Sequence, residues 1–184
     1  MNAAEFRSAT VDQLYSADQI AERIGVIADE YAASKPEDLL AIVVLKGGFV
    51  FAADLVRALS INGIQMEVEF ISLSSYGSGL ESTGEVRILR DIGCPVADRD
   101  VLIIDDVLDS GLTLRFAKDL MTGRGARRVD VAAMVDKPEG RSAKITADYV
   151  GFTCPDYFVV GYGMDAGHAH RELPFIGVLK MADG

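Results

Sequence analysis

Tryptophan is absent from this chain of 184 residues, histidine and cysteine occur twice each, and proline five times. Cys94 and Cys154 lie far apart with no CxxC between them, which excludes a disulfide scaffold or a Cys-rich zinc module and reads as two reduced thiols. His168 and His170 stand close together, but two imidazoles without a cysteine or an obvious third ligand are a poor zinc set. No apolar run reaches membrane-spanning length, and the first residues, MNAAEFRSAT, lack a basic and apolar leader pattern, so a cytoplasmic protein with no membrane partner is expected. A Gly-Lys dipeptide is missing, which removes a Walker phosphate loop, and Gly161, Gly163 and Gly167 are wrongly spaced for a dinucleotide fingerprint. Positive charge is also scarce: 18 Lys and Arg against 28 Asp and Glu leave a formal charge of -10. That balance argues against nucleic acid or an anionic membrane as partner, and only Arg124, Arg127 and Arg128 form a basic cluster.

What is present concentrates in VLIIDDVLDSGLTL, Val101 to Leu114. Four apolar residues, Val101 to Ile104, mark a strand buried on both faces. The run stops at Asp105 and Asp106, Asp109 follows, and Ser110, Gly111 and Thr113 lead into a helix. A strand end, a turn and a helix start are where open α/β sheets bind ligands, with free amides and a helix dipole suited to phosphate. A single acid there would be an ordinary helix cap. Three within five positions repel one another, so a sugar diol, a cation or both are expected to share the pocket.

The remainder alternates strands and helices. Ser16 and Gln19 have capping-box spacing, and Ile20, Ile24, Ile27 and Tyr31 recur at helical intervals until Ser34-Lys35-Pro36. Leu39 to Leu45 reads as a buried strand, Phe49 to Leu59 as a helix, and Met66 to Phe70 and Val86 to Leu89 as half-exposed strands. A helix from about Thr113 to Thr122 precedes a strand over Val129 to Val135, and short β-like runs cover Tyr157 to Tyr162 and Phe175 to Leu179. The expected fold is α/β: a mostly parallel central sheet flanked by helices. Residues 1–184 are expected to form one domain, with a small hood lobe from the chain ends, mainly about 1–15 and 137–184. Lys46-Gly47-Gly48 ends the first buried strand, and is either a tight turn or an anion-binding loop. The polar stretch Ser74 to Glu85 is either plain surface or a lid.

The Val101–Leu114 pattern resembles the 5-phosphoribosyl 1-pyrophosphate (PRPP) signature of the type I phosphoribosyltransferases, and SSYGSGLESTGEV resembles the catalytic loop of the hypoxanthine-guanine members. Four motifs in the family's order cover about Leu39 to Leu179. The resemblance implies that PRPP and a 6-oxopurine, hypoxanthine or guanine, give the nucleoside monophosphate and pyrophosphate with Mg²⁺. It assigns Asp105 and Asp106 to the ribose and to the metal, and Asp109 to general-base catalysis. Asp109, Ser110, Gly111, Leu112 and Thr113 would cradle the 5′-phosphate, while Lys46, Gly47 and Arg171 would bind pyrophosphate, across a Lys46–Gly47 cis bond. Ser75 and Tyr76 would close over it. Lys137 would meet the purine's exocyclic oxygen, Phe158 would stack on its face, the Val159 backbone would meet its edge, and Asp165 would hold Mg²⁺. A homodimer or homotetramer is implied as well. Ala166 and His168 depart from the family's aromatic and Glu, and Asp105 stands where Glu is more frequent. A xanthine-preferring enzyme, or a nucleotide-sensing RNA-binding regulator on the same fold, are the alternatives.

Overall fold

The computed structural model describes residues 3–75 and 86–180. In chain order these form α1 (Ala3–Ser8), β1 (Thr10–Tyr15), α2 (Ala17–Ala33), β2 (Leu39–Leu45), α3 (Phe49–Ile61), β3 (Met66–Ser75) and β4 (Val86–Arg90). After these come β5 (Asp100–Leu108), α4 (Leu112–Gly123), β6 (Arg128–Asp136), β7 (Tyr149–Thr153), β8 (Val159–Val160) and β9 (Ile176–Lys180). The main sheet has the order β4-β3-β2-β5-β6-β7 and a second sheet the order β1-β9-β8.

The main sheet is parallel apart from its antiparallel β3–β4 edge. Its two faces explain the unbroken apolar runs. In β2, Leu39, Ala41 and Val43 pack with α2 and α3 through Ile24, Ile27, Phe51 and Leu55. Leu40, Ile42 and Val44 pack the opposite way, with Leu114, Ala117 and Met121 of α4. A strand covered on both sides needs no polar alternation. Helix α2 opens with the expected capping box: Gln19 N donates to Ser16 Oγ at 3.2 Å, and Ser16 N to Gln19 Oε1 at 2.9 Å.

Elements α1, β1 and β7 have no counterpart in the sequence analysis. A six-residue helix cannot stand alone, and β1 exposes residues on both faces, so each exists through its partners. Strand β1 joins the second sheet by pairing with β9. The tail beyond residue 137 was assigned to the hood, yet β7 pairs with β6 and extends the main sheet. Because β2, β5 and β6 run parallel, their last residues Leu45, Leu108 and Asp136 share one edge, where the candidate site lies.

Candidate active site at the carboxyl edge of the sheet

Strand β5 delivers Asp105 and Asp106 at its end, and the chain then turns through Asp109, Ser110 and Gly111 into α4. Gly111 caps the helix at φ +82°, a left-handed conformation that favours glycine, and a Cβ there would lie 2.7 Å from Ile145 Cγ2. A cleft of about 220 Å³ is lined by Asp105, Asp106, Val107, Leu108, Asp109, Ser110, Gly111, Thr113 and Leu114. No side chain caps α4, apart from a long 3.5 Å contact between Leu112 N and Ser110 Oγ. Among the described residues, the N–H groups of Asp109, Ser110 and Gly111 meet no acceptor. The loop therefore presents free donors at a positive helix end.

The acid pair contrasts with the other buried acid of β5. Asp100, at the opposite end, accepts from Arg127 Nε and Nη2 at 2.9 Å each, and these bonds and the Glu37 amide outweigh burial and keep its carboxyl below the usual range. Asp105, 7% exposed, has no such cation among the described residues. Burial first, then the charge of Asp106, push Asp105 well up, and burial raises Asp106 as well. One oxygen of each carboxyl takes a neighbouring amide, Asp106 N at 2.9 Å and Val107 N at 3.0 Å.

This gives a test with a defined sign. A carboxyl raised in the folded state favours folding below its unfolded value and opposes it as pH rises through the folded value. Asp105→Asn is therefore expected to raise the melting temperature at pH 8 by about 2–4 °C for each kcal/mol of relieved charge burial. The gain should shrink as pH falls and vanish only below the ordinary carboxyl value of 3.8, where Asp105 holds its proton in both states. Calorimetry without Mg²⁺ or PRPP showing no gain at pH 8 would refute an uncompensated charge.

Two other segments close on the pair. The β2–α3 turn starts at the last strand residue, with Gly48 N donating to Val44 O at 3.2 Å. The cis peptide is Leu45–Lys46, one residue before the expected Lys46–Gly47 bond. Lys46 is exposed, with no ion-pair partner among the described residues. Gly47 packs directly on Asp106: a Cβ would lie 1.6 Å from Asp106 Oδ2. Gly163 lies behind it, at φ +99°, where a Cβ would come 2.3 Å from Gly47 O. Arg171 Nη1 donates to Gly163 O at 2.6 Å and its Nη2 pairs with Asp165 Oδ1 at 2.6 Å. Asp165 Oδ2 accepts the His168 amide at 2.7 Å.

On the other side, Lys137 is buried at the end of β6. Its ammonium lies 3.1 Å from Asp109 Oδ2 and 2.7 Å from Asp156 Oδ1. Burial pulls Lys137 down, but the bonds to Asp156 and Asp109 more than offset it, so its net shift is upward and it stays charged. Asp156 went unnoticed in the sequence, where nothing marks an acid after Cys154-Pro155 as a lysine partner. Phe158 is 54% exposed, whereas Val159 is buried in the β8–β9 pairing. Phe6 lies parallel to Phe158, ring centroids 6.4 Å apart, and His170 Nε2 meets Phe6 O at 2.6 Å. Tyr76 falls outside the described residues, as does the Ser75 side chain. A larger cleft of about 670 Å³, mostly apolar, lies between α2, α3 and residues 171–174 and does not include the acid pair.

Residues 10–166 match the model of the phosphoribosyl transferase domain family. The chain is 43% identical over 170 residues to the hypoxanthine-guanine phosphoribosyltransferase of Bacillus subtilis, covering 92% of this chain and 93% of that protein. It is 40% identical to the enzyme of that name from Crithidia fasciculata, covering 94% and 83%. Among solved structures, a hypoxanthine phosphoribosyltransferase from Staphylococcus aureus superposes with TM-score 0.87 at 36% identity, covering 92% of this chain and 91% of that one. A hypoxanthine-guanine phosphoribosyltransferase from Bacillus anthracis gives TM-score 0.85 at 41% identity, covering 91% and 97%.

Proposed function

The chain belongs to the phosphoribosyl transferase family, and on that footing we propose that it transfers ribose 5-phosphate from PRPP to a 6-oxopurine, hypoxanthine or guanine, releasing pyrophosphate. The observation that carries this reading is the juxtaposition at one sheet edge of a buried acid pair, a loop of unclaimed amides and a buried lysine on Asp109. The amides of Asp109 to Thr113 bind the 5′-phosphate. Asp105 and Asp106 accept hydrogen bonds from the ribose hydroxyls, orienting the ring so that its anomeric carbon faces the purine.

As the glycosidic bond to pyrophosphate breaks, positive charge grows on the sugar and negative charge on the leaving group. Fixed electrostatics on both sides lower that barrier. The acid pair faces the sugar, while Lys46 and Arg171 face the pyrophosphate. The carboxylates of Asp105, Asp106 and Asp165 are hard oxygen donors that fit Mg²⁺, and the absence of an ion pair to Asp105 among the described residues favours such an ion, Arg171 acting only on Asp106. Bound Mg²⁺ would supply charge neutralisation of the pyrophosphate. Asp109 accepts the proton that the purine imidazole ring loses on forming its new bond to carbon.

An ammonium has three donors, and Lys137 gives two to Asp109 and Asp156, leaving one for the purine oxygen. Adenine presents an amino group there, so two donors would face each other. Lys137→Gln is expected to reduce the preference for hypoxanthine over adenine, read as the ratio of kcat/KM, by about 10–100-fold, the cost of unpaired buried groups. Unchanged preference would remove Lys137 from base recognition.

The RNA-binding alternative fares worse, because Arg124 is paired with Asp91, Arg127 with Glu37 and Asp100, and Arg128 with Asp100 and Asp130. Assembly as a dimer or tetramer and residence in the cytoplasm form part of the same proposal. No described helix is long and apolar enough to cross a membrane. The deciding assay supplies PRPP and Mg²⁺ with hypoxanthine, guanine, xanthine or adenine and follows nucleotide formation. Conversion of hypoxanthine and guanine is expected, conversion of xanthine alone would select the xanthine-preferring alternative, and no conversion of any base would overturn the reading.

A further inference from the structure

We propose that Arg141 is a positioning residue for the 5′-phosphate: it holds the loop after β5 by its carbonyls and thereby turns the loop's amides into the cleft. Its guanidinium makes bonds in several directions. Nε donates to Asp109 O at 2.8 Å, Nη2 to Leu108 O at 3.1 Å and Nη1 to Ile145 O at 2.7 Å. Nη2 also pairs with Asp136, the last residue of β6. The side chain is 14% exposed, and its stem packs on Gly111, where a Cβ would lie 2.9 Å from Arg141 Cδ.

The neighbouring residue completes the arrangement. Ser110 O accepts Ser142 N and Ala143 N at 3.0 Å each, and Ser142 Oγ at 3.2 Å. Leu108 O additionally accepts Lys137 N at 3.0 Å. Three successive carbonyls, those of Leu108, Asp109 and Ser110, are thus claimed from the 137–143 side. A trans peptide is planar, with its C=O and N–H pointing in opposite directions. Fixing those carbonyls outward therefore fixes the N–H groups of Asp109, Ser110 and Gly111 on the opposite side, and these are the amides with no acceptor among the described residues. Arg141 holds the first two of the three peptides, sharing Leu108 O with Lys137 N and Asp109 O with no other donor among the described residues, and its planar fork can span both where an ammonium cannot.

Because Arg141 touches no reacting atom in this scheme, its effect falls on one substrate group. The inference rests on the phosphoribosyl transfer proposed above, and the test separates the two. Arg141→Met keeps the stem and removes every donor. It is expected to raise KM for PRPP by about 10–100-fold, the range for a misaligned binding group. KM for hypoxanthine should stay within about threefold, and in the reverse direction KM should rise for inosine monophosphate but not for pyrophosphate. Arg141→Lys, which keeps a charge beside Asp136, should recover part of the PRPP affinity, and it carries the same comparison if the methionine variant does not fold. Equal rises in KM for both substrates, or a fall in kcat alone, would make Arg141 a general structural residue and overturn the inference. Absence of nucleotide formation by the unaltered protein would instead overturn the transferase reading.

Discussion

Asp109→Asn is expected to lower the single-turnover rate of nucleotide formation by about 10²–10³, while KM for both substrates changes by no more than about threefold, the signature of a lost general base. The substitution is nearly isosteric, which matters in this setting. Asp109 is half-exposed, with the Lys137 ammonium at 3.1 Å on one side and Gly140 on another, whose backbone is so close that a Cβ would lie 2.3 Å from Asp109 Oδ1. Asparagine fits that space and still accepts a bond from Lys137, but its amide cannot take a proton from the purine. The loss corresponds to about 3–4 kcal/mol of transition-state stabilisation. Single-turnover measurement is required because product release limits many enzymes and would mask part of the effect. A rate near that of the unaltered protein would remove Asp109 from proton transfer.

Gly47→Ala should be comparably severe by a different route, reducing kcat/KM for PRPP by about 10² or more, as displacements near 1 Å do in organised sites. The new Cβ would lie 1.6 Å from Asp106 Oδ2 and 2.2 Å from its Cγ, so the carboxylate must leave its place. The loop cannot retreat instead, because Gly163 already abuts Gly47 O. Combining the change with Asp106→Ala distinguishes this mechanism from a general loss of fold. In the Asp106→Ala background, Gly47→Ala should cost little more, since the clash has gone. Fully additive losses, with melting temperatures unchanged, would show that Gly47 acts independently of Asp106.

Much of the site was legible because it is local. The acid pair, Asp109 and the small residues before α4 sit within one strand, turn and helix, and apolar run length alone placed that unit on a buried strand. Lys46-Gly47 and Lys137 were legible as the endings of two further parallel strands, since parallel strands in one sheet finish at a common edge. The family resemblance then supplied roles that residue type alone left open. It misplaced the cis bond by one residue, since the bond joins Leu45 and Lys46. Element α1 and strand β1 escaped detection for a related reason: neither has an apolar period of its own, and both form against partners near the other end of the chain.

The amino-acid order by itself determined the α/β sheet, its apolar faces and the clustering of acids and cations at one edge, because these follow from periodicity and from what ends a strand. Only the tertiary structure decided that Asp156 shares Lys137, that Gly163 and Gly47 stack beneath Asp106, and that Arg141 gathers the carbonyls of the β5–α4 loop. Those contacts join residues separated by long stretches of chain. Their partners are chosen by packing geometry, which no local pattern of residues encodes.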